Sequence, residues 1–509
     1  MNRTGGYAVA AGHRLTAEAG AAMLDAGGSA ADAAVAAALT AMVAEPVLAG
    51  LLGGGFAMVR SPSGETRLLD AFVDTPGRCR PAGETDFRAI EADFGETRQE
   101  FHIGAGAIAA AGLSRGLWEL HARFGRVPMR EVAAPAVAAA REGVRVTAYQ
   151  ARLARIVAPI LTASAEARAL HCEGETLHGE GAVHRNPDFA EVLEVFAVEG
   201  PRFVQEGEVA ARLMRLAAAG GHLEGADLAR HAPVWRRPLT ATRRQARIAL
   251  NPPPSLGGAL IEVTLALLPD GPRPVEIAAA LAATARARAE SGIDAAPEEG
   301  VERLADPALR ARAARAVAQG RPVSTRGTTH VSAIDREGLG VALTLSNGEG
   351  CGLIVPGTGI MPNNMLGEAD LLPGGFGRWP TGVRLASMMA PLAVDWPDGR
   401  VAMLGSGGSN RIRSALVQVL VGLIDRGEDL AAAIAAPRLH VEGAEAPVLD
   451  HEETGLAEAV RSALRTAWPE ARGWAEPSMF FGGAHGVIGG PRGPQACGDP
   501  RRAGHSITG

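Results

Sequence analysis

Cysteine is scarce in this chain: four in 509 residues, at positions 79, 172, 351 and 497. No pair has metal-ligand or redox spacing, which excludes a disulfide framework and a thiolate metal site. They read as reduced thiols, or at most one bridge. Aromatic residues make up only 4%, so rings do not build the core. Alanine and glycine let elements approach closely, and aliphatics fill the gaps. Basic charge is not in excess either. The net charge of −6 gives no basic face for nucleic acid or an anionic membrane, and a small-molecule or peptide substrate is expected. Long apolar runs are also missing. The longest, "AADAAVAAALTAMVAEP", contains Asp32 and ends at Glu45-Pro46, so it reads as a buried helix and not a bilayer span. Gly12, His13 and Arg14 interrupt the first apolar residues before a signal-peptide core forms, so no signal peptide is expected and the expected location is cytoplasmic.

What is present is a globular composition, 47% hydrophobic and 21% charged, in a chain long enough for two or three domains or one large layered sandwich. "TAEAGAAMLDAGG" and "SAADAAVAAALTAMVAEP" predict two helices, the second starting at a Ser29 cap. "FAMVR" and "TRLLDAFV" around Ser-Pro-Ser-Gly predict a hairpin. Residues 105–320 read as mostly helical, interrupted by the strand-like passage before "NPPPSLGG". Residues 282–326 are charged and helix-prone and end in "QGRPVSTRG", the pattern of an exposed, mobile linker. The texture then changes. "THVSAID", "VALTLS", "MMAPLAVDW" and "RVAMLGSGG" are strand candidates, and "RIRSALVQVLVGLIDRG" a helix.

At that change stands Gly327-Thr328-Thr329-His330. If the turn after "TTHVSAID" centres on Glu337, antiparallel pairing sets Thr328 opposite Ser346, two hydroxyls at one end of a hairpin. A mid-chain threonine hydroxyl is a poor nucleophile without a base. Cutting the Gly327–Thr328 bond would solve this locally, because the new α-amine, with a pKa of roughly 7.7–8.0, can take the hydroxyl proton. Glycine before the threonine permits the twisted backbone such a cut needs. The ordinary alternative is a Thr-Thr pair that simply begins a strand well.

Further motifs weigh against that alternative. "GTTHVSAID" resembles the processing site of the γ-glutamyltranspeptidase family, N-terminal nucleophile hydrolases that cut themselves before a threonine. "GGSAADAAVAAALTAMVAEP", "LLGGGFAMVR", "NPPPSLGG", "GTGIMPNNM", "LASMMAPLAV", "LGSGGSNRI" and "GDPRRAG" are similar to family segments and follow in family order over nearly the whole chain. The resemblance implies an α+β fold, a four-layer αββα sandwich. Its two parts would be a helix-rich large subunit, 1–327, carrying part of the central sheets, and a small catalytic subunit, 328–509, both from one precursor. It implies Thr328 as nucleophile and acyl-enzyme residue, and Ser346 as a second hydroxyl bonded to it. Gly408 and Ser409 would be oxyanion donors, and Asn347, Glu368 and Ser387 substrate contacts. No metal or cofactor is implied.

The chain departs from the family pattern in the pocket. Phe72, in "DAFVDTP", stands where the family places the arginine that holds a γ-glutamyl α-carboxylate. Ala386 replaces the first of two serines, Glu368 an aspartate, and Met365 a glutamine. Arg384 is a candidate substitute cation, or else a surface ion-pair residue. Three functions therefore stand side by side. One is γ-glutamyl transfer or hydrolysis on glutathione-like compounds. Another is an amidase or acylase of the same fold with a different acyl group. The last is an inactive scaffold. Other signals read as structural: "GGG" at 53–55 as close strand packing, "HCEGETLH" at 171–178 as a solvated loop, His330 as a hydrogen-bonded strand residue, and Asp32 as a hydrogen-bond acceptor.

Overall fold

The computed structural model describes residues 5–93, 98–315 and 327–509. The expected linker tip, 316–326, lies outside the described residues. Two antiparallel sheets form the centre. One has seven strands in the spatial order Val234–Arg236, Thr66–Ala71, Gly54–Arg60, Gly340–Ser346, Thr329–Ile334, Ala8–Ala11, His505–Thr508. The other has six: Leu239–Arg243, Ala246–Leu250, Leu392–Asp395, Val401–Gly407, Gly483–Gly489, Gln495–Cys497. The strands beginning at Thr329 and Gly340 face those beginning at Val401 and Gly483 across the interior. Helices cover both outer faces, giving the αββα order. Both sheets take strands from either side of Thr328, so the two halves of the chain share one core.

The local sequence explains the layers. Ser29 caps the helix Ala30–Ala44 in a capping box with Asp32, and that helix is buried along its whole length. Its alanines permit this, since a small side chain lets the helix press on the sheet and on the helix Arg14–Asp25. Asp32 accepts from the Ser29 and Arg126 amides, the acceptor role read from the sequence. On the far side Gly257–Leu267, Pro274–Ser291 and Arg411–Val421 pack together. Among the described residues no helix is long and apolar enough to cross a membrane.

Glycines 54 and 55 lie where sheet packing forbids side chains. A Cβ on Gly54 would stand 2.7 Å from the Phe72 ring, and one on Gly55 2.7 Å from Thr344 O. The 171–178 segment differs from the expected loop. It forms a two-residue hairpin, and buried His171 stacks on buried His184 with ring centroids 5.3 Å apart. Apolar residues of the 144–161 segment line the same cavity as these histidines.

Candidate active site

The hairpin that follows Gly327 has the expected register: Thr329 pairs with Leu345 and His330 with Thr344. Continuing it by one residue brings Thr328 beside Ser346. Gly327 is held on three sides. Its N–H donates to Glu349 Oε1 at 2.7 Å, and its carbonyl accepts from Ser346 Oγ at 2.6 Å. A Cβ on it would stand 2.8 Å from Gly348 O and 3.2 Å from Leu48 Cδ2. The Ser346 hydroxyl also accepts the Gly348 N–H at 3.0 Å. Its single proton is thus directed at the Gly327 carbonyl. In the uncut chain the Ser346 hydroxyl therefore acts on the Gly327 carbonyl.

Local backbone geometry builds this cradle. Gly348 and Gly350 take φ of +64° and +96°, a region open to glycine at little cost, and the loop curls so that Glu349 turns back on Gly327. Asn364 Oδ1 fixes the curl by accepting the Glu349 and Gly350 amides at 2.9 and 3.3 Å. Opposite, Gly407 ends its strand against Thr328, where any Cβ would collide with the Thr328 carbonyl. Gly408 and Ser409 follow at φ of +117° and +52°. A serine in that region stores strain of about 1–3 kcal/mol. Their carbonyls accept the Arg411 and Ile412 amides, each at 3.0 Å, as the helix Arg411–Val421 begins. The N–H groups ahead of that helix lie at its positive end, where developing negative charge is stabilised.

A cleft opens over Thr328. Gly327, Ser346, Glu368, Ser387 and Ser409 line it. The rest of its wall is largely apolar: Phe72, Leu256, Met365, Leu371, Met388, Ile412. Arg288 is its one cationic lining residue among those described, and it is already paired with Asp294 at 2.7 Å. Phe72 is 1% exposed and stacks on Phe56 with centroids 5.4 Å apart.

Two expected substrate contacts lie elsewhere. Asn347 donates to the Met361 carbonyl at 3.0 Å and packs against Gly50, where a Cβ would come within 2.7 Å of its Oδ1. It does not line the cleft, because the strand's alternation turns it away from Ser346. Arg384 does not line it either. Its Nε donates to Asp74 Oδ1 at 2.5 Å, its Nη1 to Asp70, and its Nη2 to the Ala232 carbonyl at 2.8 Å. The guanidinium is committed to two aspartates, so the expected substitute cation is in fact an ion-pair residue.

The structure adds residues that sequence reasoning missed. Arg502 Nη1 donates to the Thr328 carbonyl at 3.2 Å. The "DPRR" ending is pinned by Arg501, which bridges Glu452 at 2.5 Å and Asp499 at 3.4 Å. Glu45 Oε2 accepts from Thr329 Oγ1 at 2.8 Å, and its Oε1 from Thr16 Oγ1 at 3.3 Å. Burial pushes the Glu45 carboxyl up to about 7, against those two hydrogen bonds and the nearby Arg502. The signal for both residues was their place inside family-like segments, which carries no hint of what they touch. His330 uses both ring nitrogens, on Thr344 Oγ1 and Ser332 Oγ at 2.8 Å each. Burial holds it well below the ordinary histidine range, so it is a neutral structural residue.

The family model for gamma-glutamyltranspeptidase matches residues 16–509. The chain is 33% identical over 487 residues to the "Acylase ACY 1 proenzyme" of Pseudomonas sp. (strain SE83), covering 90% of this chain and 85% of that one. It is 31% identical over 479 residues to the "Glutathione hydrolase proenzyme" of Pseudomonas aeruginosa, covering 86% and 83%. Its fold is similar to that of a crystal structure of cephalosporin acylase from Bacillus halodurans, with a TM-score of 0.84 at 22% identity over 99% of this chain and 95% of that one.

Proposed function

The chain belongs to the γ-glutamyltranspeptidase family, and we propose that within it this protein is a self-processing amide acylase whose acyl donor lacks the α-carboxylate of a γ-glutamyl group. The observation that carries this reading is Phe72, a buried neutral ring in the wall of the Thr328 cleft. A carboxylate brought against it would lose water and gain no partner, which costs several kcal/mol. Arg384 cannot move in to help without abandoning Asp70 and Asp74. An apolar or weakly polar acyl chain fits the Leu256, Met365 and Met388 wall. The relative named as an acylase supports the same direction.

The chemistry follows from the cradle. In maturation, the Thr328 hydroxyl adds to the Gly327 carbonyl while Ser346 donates to its oxygen. The C–N bond breaks and the proton passes to the Thr328 nitrogen. Water hydrolyses the resulting ester, leaving a free α-amine on Thr328. In turnover that amine takes the hydroxyl proton as Thr328 attacks the substrate amide. The oxyanion falls to the Gly408 and Ser409 amides, the leaving amine departs protonated, and water releases the acid. The second reading, γ-glutamyl hydrolysis or transfer, is favoured by Glu368 and Ser387, which both line the cleft. A panel of acyl anilides with purified protein separates the two. The acylase reading requires an apolar acyl anilide to exceed the γ-glutamyl anilide in kcat/KM, and the reverse order would overturn it.

A further inference from the structure

Glu349 has no part in the turnover just described, yet its carboxylate lies against the residue that precedes the cut. We infer that Glu349 is a positioning residue for self-cleavage, holding the Gly327 N–H while Ser346 holds the Gly327 carbonyl, so that the attacked residue is fixed at both ends. This rests on the self-processing reading and adds to it a residue that acts in the precursor.

The geometry is specific. Glu349 is 2% exposed, and its Oε1 lies 2.7 Å from the Gly327 nitrogen. The bond is charge-assisted when the carboxyl is ionised, and it is shielded from water, the setting in which such a bond is strongest. Gly327 has no side chain to orient it, and a free glycine backbone samples many conformations. The Gly348 carbonyl and Leu48 close the remaining sides, since a Cβ at position 327 would stand 2.8 and 3.2 Å from them. The Glu349 amide is fixed independently, by Asn364. Attack by a neighbouring hydroxyl on the preceding carbonyl needs a well-aimed peptide, and a misplacement of about 1 Å can cost on the order of 100-fold in rate. Once the bond is cut, the Gly327 carbonyl is no longer a reacting group and the function of the clamp ends.

The test follows the precursor directly. Wild type, Glu349→Ala and Glu349→Gln are expressed as full chains and purified as precursor. The appearance of two bands is then timed on denaturing gels. Removing the acceptor should slow cleavage by about tenfold or more, and the neutral amide, which keeps a weaker acceptor, by about threefold. Material of either variant that has finished cutting should turn over an acyl anilide within about threefold of wild type. Gly327→Ala, which disturbs the same cradle from the other side, should also slow the cut. If Glu349→Ala fails to fold, as its melting curve would show, the Glu349→Gln time course decides: cleavage at the wild-type rate overturns the inference. Equal losses in cleavage and in turnover per cut molecule also overturn it, because they mark a general structural role. A wild-type chain that never cuts removes the self-processing reading, and this inference with it. A wild type that cuts while Glu349→Ala cuts equally fast removes the inference alone.

Discussion

Ser346 Oγ lies 2.6 Å from the carbonyl oxygen of Gly327, and its proton points at that oxygen. The hydroxyl therefore acts on the group that is attacked, in the place where an oxyanion develops when Thr328 adds to it. Donors so placed typically contribute about 2.7–4 kcal/mol to the barrier. Ser346→Ala should slow self-cleavage by roughly 100-fold, with a smaller loss of turnover in molecules that do mature. Gel time courses and single-turnover kinetics measure the two separately. Cleavage at the wild-type rate would show that the short contact has no chemical role.

Thr328→Ala should abolish both steps. The protein should remain one chain of 52.3 kDa with no acylase activity. Thr328→Ser keeps a hydroxyl and an α-amine and should mature and turn over at reduced rates. Denaturing gels and mass analysis of the new N-terminus check the assignment, which an active uncut wild type would rule out.

Phe72→Arg introduces a cation into the wall of the cleft. It should lower KM for γ-glutamyl anilides more than it raises kcat, because the α-carboxylate lies away from the breaking bond and binds alike in ground and transition states. A fork of this kind contributes on the order of 1–3 kcal/mol. Arg384→Ala should leave KM for every acyl anilide nearly unchanged and lower the melting temperature, since it strips a partner from Asp70, whose side chain is fully buried. A sharp rise in KM for γ-glutamyl anilides in Arg384→Ala would return Arg384 to the pocket.

The layer order was expected from the resemblance to a known family; single elements were legible because they are written in periodicity and caps. The Ser29 box, the Gly327–Ser346 hairpin and the glycines against Phe72 follow from residues close in sequence. The contacts that decide roles were not legible in the same way. Whether the Ser346 proton goes to Thr328 or to Gly327 depends on how the Gly348–Gly350 loop curls, a matter of two left-handed φ angles. Arg384 sits close to Ser387 in sequence, yet its guanidinium is drawn off by Asp70 and Asp74, some 310 residues earlier in the chain. Arg502 and Glu45 reach Thr328 and Thr329 from opposite ends of the chain, where no spacing rule connects them. The strands Ala8–Ala11 and His505–Thr508 were missed for a related reason: each is only 4 residues long, and each is made a strand by its partner.

Glu45 gives the protein a pH dependence with a definite sign. Its carboxyl is buried and raised from 4.5 to about 7, so the folded state favours the protonated form. The stability it contributes is fully present below about pH 4.5, is lost as the pH rises through about 7, and stays lost above that. The loss is on the order of 3 kcal/mol. The histidines of the adjoining cavity work the other way. Burial lowers His184 to about 4, so its contribution is lost as the pH falls from about 6.5 through that value. His171 and His178 are lowered in the same direction. A wild-type stability curve alone therefore mixes the two effects. Glu45→Gln separates them, because it keeps a group able to bond Thr16 and Thr329 and removes only the titration. The variant should match or fall slightly below wild type at pH 5 and exceed it at pH 8. The difference in unfolding free energy should grow from pH 5 to about 7 and then level off, while the histidine terms cancel in the comparison. Urea midpoints at five pH values measure it, and parallel curves for the two proteins would mean that Glu45 does not titrate in this range.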